Sequence, residues 1–284
     1  MIQIMLSALA LLAGPATLPT PAPPLLVIAH RGASGERPEH TRAAYDRAID
    51  QGADFIEPDL VMSRDGVLIV RHENEIGETT DVATHPEFAG RRTTRTIDGR
   101  TVTGWFTEDF TLAELQTLRA RERLPAVRPA NTAFDGQEPI LTFQQVIDIA
   151  RAGSLRSGRT IGVVPELKHP SYFAAAGLPM EDVFVAVLAT NALTGADAPV
   201  LIQCFEVGPL QRLAARIDAP GLQLMSVYGG PVDRPDLTYA AMATPAGLKA
   251  VSAYARWIGV EAAMIAPDLE RPQTSLVVDA HTAG

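Results

Sequence analysis

The sequence predicts an α/β protein built on a mostly parallel sheet, and three observations carry that expectation. Apolar runs of strand length alternate with amphipathic segments of helix length along most of the chain. Acids and imidazoles recur where the apolar runs end, the place at which parallel α/β folds gather their functional groups. A chain of 284 residues that is 46% hydrophobic and 20% charged has the apolar content to bury a core on that plan.

The elements follow in order. Met1 to His30 contains no Asp, Glu, Lys or Arg, and within it "IMLSALALLAG" is an apolar run too short to span a bilayer. The small-residue and proline stretch "GPATLPTPAPP" follows it, so residues 1–23 are expected to be a cleaved signal peptide, although no basic residue precedes the run. The working domain is then 24–284, placed in the periplasm or secreted, with no stable membrane span after cleavage. A single cysteine, Cys204, forms no internal disulfide.

The first strand, 25–30, ends in His30-Arg31, and Gly32 and Gly35 are expected to let the next turn pass closely around a ligand. A helix over 40–51 leads to a strand over 54–60. On that strand Glu57 and Asp59 are two residues apart and share a face, and Pro58 between them places the pair near the strand's carboxyl end. A strand over 67–72 ends in His72. Residues 73–137 then break the rhythm: "EFAGRRTTRTIDGRTVTGWFTEDF" is rich in Arg and Thr and lacks a long apolar period, so this stretch is expected to be an inserted cap. Helix signals resume at "TEDFTLAELQTLRA". Thr142 and Gln145 form a capping box for a helix over 141–152. Strands over 160–167, 199–205 and 222–227 bring the count to six, with helices over 181–191 and 207–217 between them. Glu166 and Lys168 repeat the same-face spacing at the end of the fourth strand. "TSLVVDAHTAG" reads as a helix with Gly284 at its cap.

Three carboxylates at strand ends, Glu57, Asp59 and Glu166, form an oxygen-ligand set for a hard divalent cation, Ca²⁺ ahead of Mg²⁺. Buried together without an ion, they would cost several kcal/mol or take up protons. His30 and His72 beside them have the chemistry of a general acid and base. The plainer reading of each residue alone is a polar strand terminus; it is their joint recurrence that favours a site. Lys168 is one of only two lysines beside 22 arginines, which suggests a position needing a compact point charge. Arg31 could bind a phosphoryl oxygen in bidentate fashion. His40, His85, His169 and His281 read as surface or local structure, with His40 the closest to the strand-one loop. A net charge of −9 argues against nucleic acid as a partner. There is no Gly-x-Ser-x-Gly elbow, nucleotide loop or zinc spacing.

Taken together, "HRGASGERPEHT", "ADFIEPDLVMSRDGVLIVRHE" and "VVPELKHP" resemble the glycerophosphodiester phosphodiesterases, most closely their periplasmic branch. The resemblance implies a TIM-like barrel with the cap at 73–137. It implies a metal on Glu57, Asp59 and Glu166, acid/base roles for His30 and His72, and substrate-phosphate contacts from Arg31 and Lys168. The implied reaction is hydrolysis of a small glycerophosphodiester to glycerol 3-phosphate and an alcohol. Eight βα units need about 200–250 residues before insertions. Setting aside the leader and the cap leaves about 195, so the barrel is expected to lack its last two strands. Two alternatives stay open, a phosphodiesterase acting on lipid substrates and a truncated, inactive paralogue that only binds phosphodiesters. No apolar patch for acyl chains is evident, which counts against the first. The oligomeric state is not legible.

Overall fold

The computed structural model describes residues 25–268 and 273–284; the expected signal peptide lies outside them. The chain opens with β1 (Ile28–His30), α1 (Arg42–Asp50), β2 (Phe55–Glu57), β3 (Asp59–Met62) and β4 (Leu68–Val70). The long segment after β4 holds the hairpin β5 (Thr93–Ile97) and β6 (Arg100–Gly104), the single-turn α2 (Leu112–Leu115) and four short 3-10 turns. Next come α3 (Phe143–Ser157), β7 (Gly162–Val163), β8 (Glu166–Leu167), α4 (Pro170–Ala175) and α5 (Met180–Thr190). The last stretch contains β9 (Ile202–Cys204), α6 (Val207–Ala214), β10 (Gly221–Met225), α7 (Tyr239–Met242), α8 (Pro245–Val251), β11 (Trp257–Val260), α9 (Ala262–Ile265) and α10 (Leu276–Ala283).

The strands run β1-β2-β7 in one sheet and β11-β10-β9-β8-β3-β4 in another, and every pairing among them is parallel except β3 with β4. Pro58 separates β2 from β3 and Pro165 separates β7 from β8, because a proline gives no N–H to the ladder. Joined across those breaks, the sheets are one curved parallel layer of six strands in chain order, with helices outside: a (β/α) TIM-type barrel. Among the described residues β1 pairs only with β2 and β11 only with β10, so no pairing joins the two ends of the layer. In the residues leading into β1, Leu25 is 96% and Val27 56% exposed.

Membership of the six differs from the sequence reading. The run over 67–72 is not a parallel barrel strand: it folds back antiparallel on β3 through a tight turn at Asp65-Gly66, where Gly66 takes φ 78°. The sixth parallel strand is instead β11, where a Cβ at Gly259 would press on the terminal methyls of Leu224 and Leu222 at 2.7 and 2.8 Å. Pro58 sits in mid-strand, not at the strand's end, since pairing resumes at Asp59.

Helix boundaries track their caps. The Thr41 hydroxyl accepts from the Ala44 amide at the start of α1, and both halves of the capping box at Thr142 and Gln145 form. At the other end of α3, Gly158 turns left-handed at φ 68°. Ile56, Leu60, Val61, Phe143 and Phe184 belong to one large apolar core, with the Phe143 and Phe184 rings stacked at 5.5 Å. A smaller cluster lies under α7, α8 and α10. Gly32 is constrained by packing: at φ 78° its Cβ would lie 2.7 Å from the Ala44 carbonyl carbon, while Gly35 has open space around it. No helix among the described residues is long and apolar enough to cross a membrane.

Candidate active site

The two proline breaks set the site's geometry. Pro58 and Pro165 each precede an acid, Asp59 and Glu166, and these two are paired in register across β3 and β8. Glu57 ends β2 opposite His30 of β1. Carboxylate oxygens of Glu57, Asp59 and Glu166 consequently lie within 4.8 Å of one another, all three residues buried.

Each acid is held from a different side. Glu57 Oε2 accepts from the Arg31 amide at 2.8 Å, and its Oε1 accepts from Gln203 Nε2 at 2.7 Å. Asp59 Oδ2 lies 2.9 Å from His40 Nε2 and 3.3 Å from Arg31 Nε. Glu166 Oε1 is 3.1 Å from Lys168 Nζ. Asp59 Oδ1 is buried with no hydrogen-bond partner, an arrangement that costs about 1–3 kcal/mol unless something fills it.

Burial, then mutual repulsion with Asp59 and Glu166, pushes the Glu57 carboxyl well above its usual range. Burial raises Asp59 also, against the pull of Lys168 and Arg31. Glu166 rises to about 7, again chiefly through burial. A convergent, oxygen-only set with an orphaned lone pair and unfavourable mutual charge fits a hard divalent cation, and these residues would hold it.

The imidazoles feel the same cations. Partial burial and the Arg31 charge lower His30, and burial drives His72 far down, aided by Lys168 and Arg31, so both lean toward the neutral form. His30 is exposed where β1 ends, while His72 follows β4 with its Nδ1 3.2 Å from Glu73 Oε1. His72, Glu166 and Lys168 line one end of a cavity of about 950 Å³, whose other walls include Trp105, Arg123 and Tyr228. Arg31 adopts a left-handed backbone at φ 63° that turns its amide toward Glu57. Its guanidinium also reaches Glu39 Oε2 at 3.4 Å, which Arg123 Nε contacts at 3.0 Å. Five N–H donors on Arg31 and three on Lys168 exceed these contacts, leaving capacity for a phosphoryl group.

Two histidines read as surface prove otherwise. His40 is fully buried, with Nδ1 2.8 Å from the Tyr45 hydroxyl and Nε2 on Asp59. His169 is 14% exposed and bridges Asp98 and Glu73. Gln203, Glu39 and Tyr45 complete the surround and carried no sequence signal; His40 had one in its nearness to the strand-one loop.

The model of the glycerophosphoryl diester phosphodiesterase family matches residues 30–284. The glycerophosphodiester phosphodiesterase GDPD6 of Arabidopsis thaliana is 38% identical over 271 residues, 90% of this chain and 71% of that protein. A glycerophosphodiester phosphodiesterase of Haemophilus influenzae is 30% identical over 68% of this chain, which spans only about half of that relative's length, 52%. Among solved structures, a glycerophosphoryl diester phosphodiesterase from Silicibacter pomeroyi aligns with a TM-score of 0.63 at 21% identity, covering 92% of this chain and 80% of that one. An Oleispira antarctica phosphodiesterase in complex with the product sn-glycerol-3-phosphate aligns at 0.54 and 20% identity, covering 92% and 90%. With its sequence matched from His30 onward and its fold shared with these structures, the chain belongs to the glycerophosphoryl diester phosphodiesterase family.

Proposed function

We propose that the protein hydrolyses small glycerophosphodiesters, such as glycerophosphocholine, to glycerol 3-phosphate and an alcohol. The observation that carries this is the convergence of Glu57, Asp59 and Glu166 within 4.8 Å, beside two cations and two strand-end imidazoles that lean toward the neutral form. The product bound to the Oleispira antarctica protein supports the same substrate class. We favour Ca²⁺ over Mg²⁺ for the acidic trio, because ligands from three separate strand ends suit its flexible shell. When bound, the ion supplies positive charge against which a phosphoryl oxygen is polarised.

The chain's own groups divide the remaining work. Arg31 and Lys168 fix the phosphodiester and offset charge that builds on its oxygens. Of the two imidazoles, one removes a proton from the attacking hydroxyl or water and the other supplies one to the departing alcohol. The base must begin neutral and the acid protonated; the arriving phosphate anion, by opposing Arg31 and Lys168, raises the imidazoles' proton affinity so that one of them takes up a proton from solvent before it serves as the acid.

Purified protein with Ca²⁺ is expected to release glycerol 3-phosphate from glycerophosphocholine and to stop on chelation. His30→Ala and His72→Ala are each expected to lower kcat by about a hundredfold or more. Undiminished turnover in both variants overturns the mechanism. We also propose export, on the uncharged apolar leader. N-terminal sequencing of protein recovered from periplasm or medium should begin near Pro24, and a chain found only in the cytoplasm with Met1 retained removes that proposal.

A further inference from the structure

The β5–β6 hairpin stands at the wall of the cavity: Ile97, Asp98, Arg100, Val102 and Gly104 all line it. Its tip is a two-residue turn in which Asp98 and Gly99 both take positive φ, 47° and 77°, as hairpin turns of this hand require. Asp98 aims its carboxylate back at the barrel, where Oδ2 meets His169 Nδ1 at 2.5 Å. The other ring nitrogen, Nε2, meets Glu73 Oε2 at 2.8 Å. Glu73 in turn presents its second oxygen 3.2 Å from His72 Nδ1. An unbroken line therefore runs from the inserted hairpin to an imidazole of the site, Asp98 to His169 to Glu73 to His72.

His169 is built for that position. It follows Lys168 just past β8, at the end of the third barrel strand, takes a left-handed backbone at φ 49°, and occupies the N-cap position of α4 just before Pro170. A non-glycine residue in that region is strained, and the strain is tolerated where the surroundings over-determine the conformation. The reward here is that one ring reaches two carboxylates on separate elements. With both nitrogens donating to carboxylates the ring carries a charge, so the contacts are charge-assisted and stronger than neutral ones.

We propose that His169 is a positioning residue: it fastens the tip of the β5–β6 hairpin to Glu73, and through Glu73 it orients His72. The inference rests on the phosphodiesterase reading for what His72 does, but the fastening itself does not. Glu73, held 3.2 Å from His72 Nδ1, puts a negative charge beside that nitrogen and so favours the N–H there over one at Nε2. The hairpin, fixed at its tip, keeps a constant wall over the cavity.

Two variants test this in the full-length, Ca²⁺-loaded protein. His169→Ala removes the bridge. Asp98→Asn removes one charge yet keeps the turn, because Asn before Gly is well suited to this hairpin geometry. Hydrogen exchange of backbone amides over 93–104 is expected to accelerate in both. In turnover of glycerophosphocholine, kcat is expected to fall about ten- to a hundredfold in His169→Ala, the loss typical of a group acting at one remove, with KM changing less than kcat. Hairpin exchange that stays at the parent rate in both variants overturns the fastening. Faster exchange with unchanged kcat overturns the link to His72. Should the parent protein itself prove inactive, the phosphodiesterase reading fails, and the exchange measurement still decides the fastening.

Discussion

Glu166 shows how the site uses unfavourable charge. Its carboxyl sits at about 7, and Glu57 and Asp59 are raised with it, because three acids share one buried space. The folded, metal-free protein thus binds protons that the unfolded chain releases at lower pH. Its stability is expected to fall as pH rises from the ordinary carboxylate range through about 7, and a cation that replaces those protons should reverse the loss. The increase in Tm on adding Ca²⁺ should accordingly be small at pH 5.5 and large at pH 7.5; equal increments at the two values would contradict a shared ion. The acids, both imidazoles, Arg31 and Lys168 were all legible as strand-end chemistry. His40 and Gln203 were not, since their part in the site depends on which way a loop residue at φ 60° and a strand residue in the fourth barrel position project, and register is not written in either residue's neighbours.

Elements were legible in proportion to their local signals. Helices with side-chain caps, such as α1 at Thr41 and α3 at Thr142, appear within a few residues of their expected limits. Several strands are only two to four residues long, too short for an alternation to be counted, and there the sequence misleads. The 67–72 run has strand composition, but the Asp65-Gly66 turn reverses it onto β3, so it delivers His72 from an antiparallel edge. β11 was invisible because Trp257-Ile-Gly-Val is brief and interrupted by a glycine packed against the Leu222 and Leu224 side chains. The prolines at 58 and 165 had the opposite effect. Pro58, read as marking the strand's carboxyl end, is an interior break, Pro165 is another, and each is followed directly by an acid of the site.

At the scale of the molecule, the family's barrel explains why groups as distant in sequence as Arg31, Glu57, Glu166 and Gln203 meet: in a curved parallel layer every strand delivers its carboxyl end to the same mouth. The acidic trio gathers there, whereas among the described residues the layer's two ends are not paired to each other. An edge strand with exposed backbone and apolar side chains is a template for another strand. The unpaired edge at β1, where Val27 and Ile28 are exposed, is expected to support reversible self-association. Sedimentation velocity across a dilution series should show it, and Val27→Lys should weaken it by placing a charge on the edge; a single species at every concentration would contradict the idea. Dilution then becomes a variable of catalysis itself: turnover per molecule at nanomolar protein reports solitary chains, and the same assay at high protein reports a mixture with its own activity.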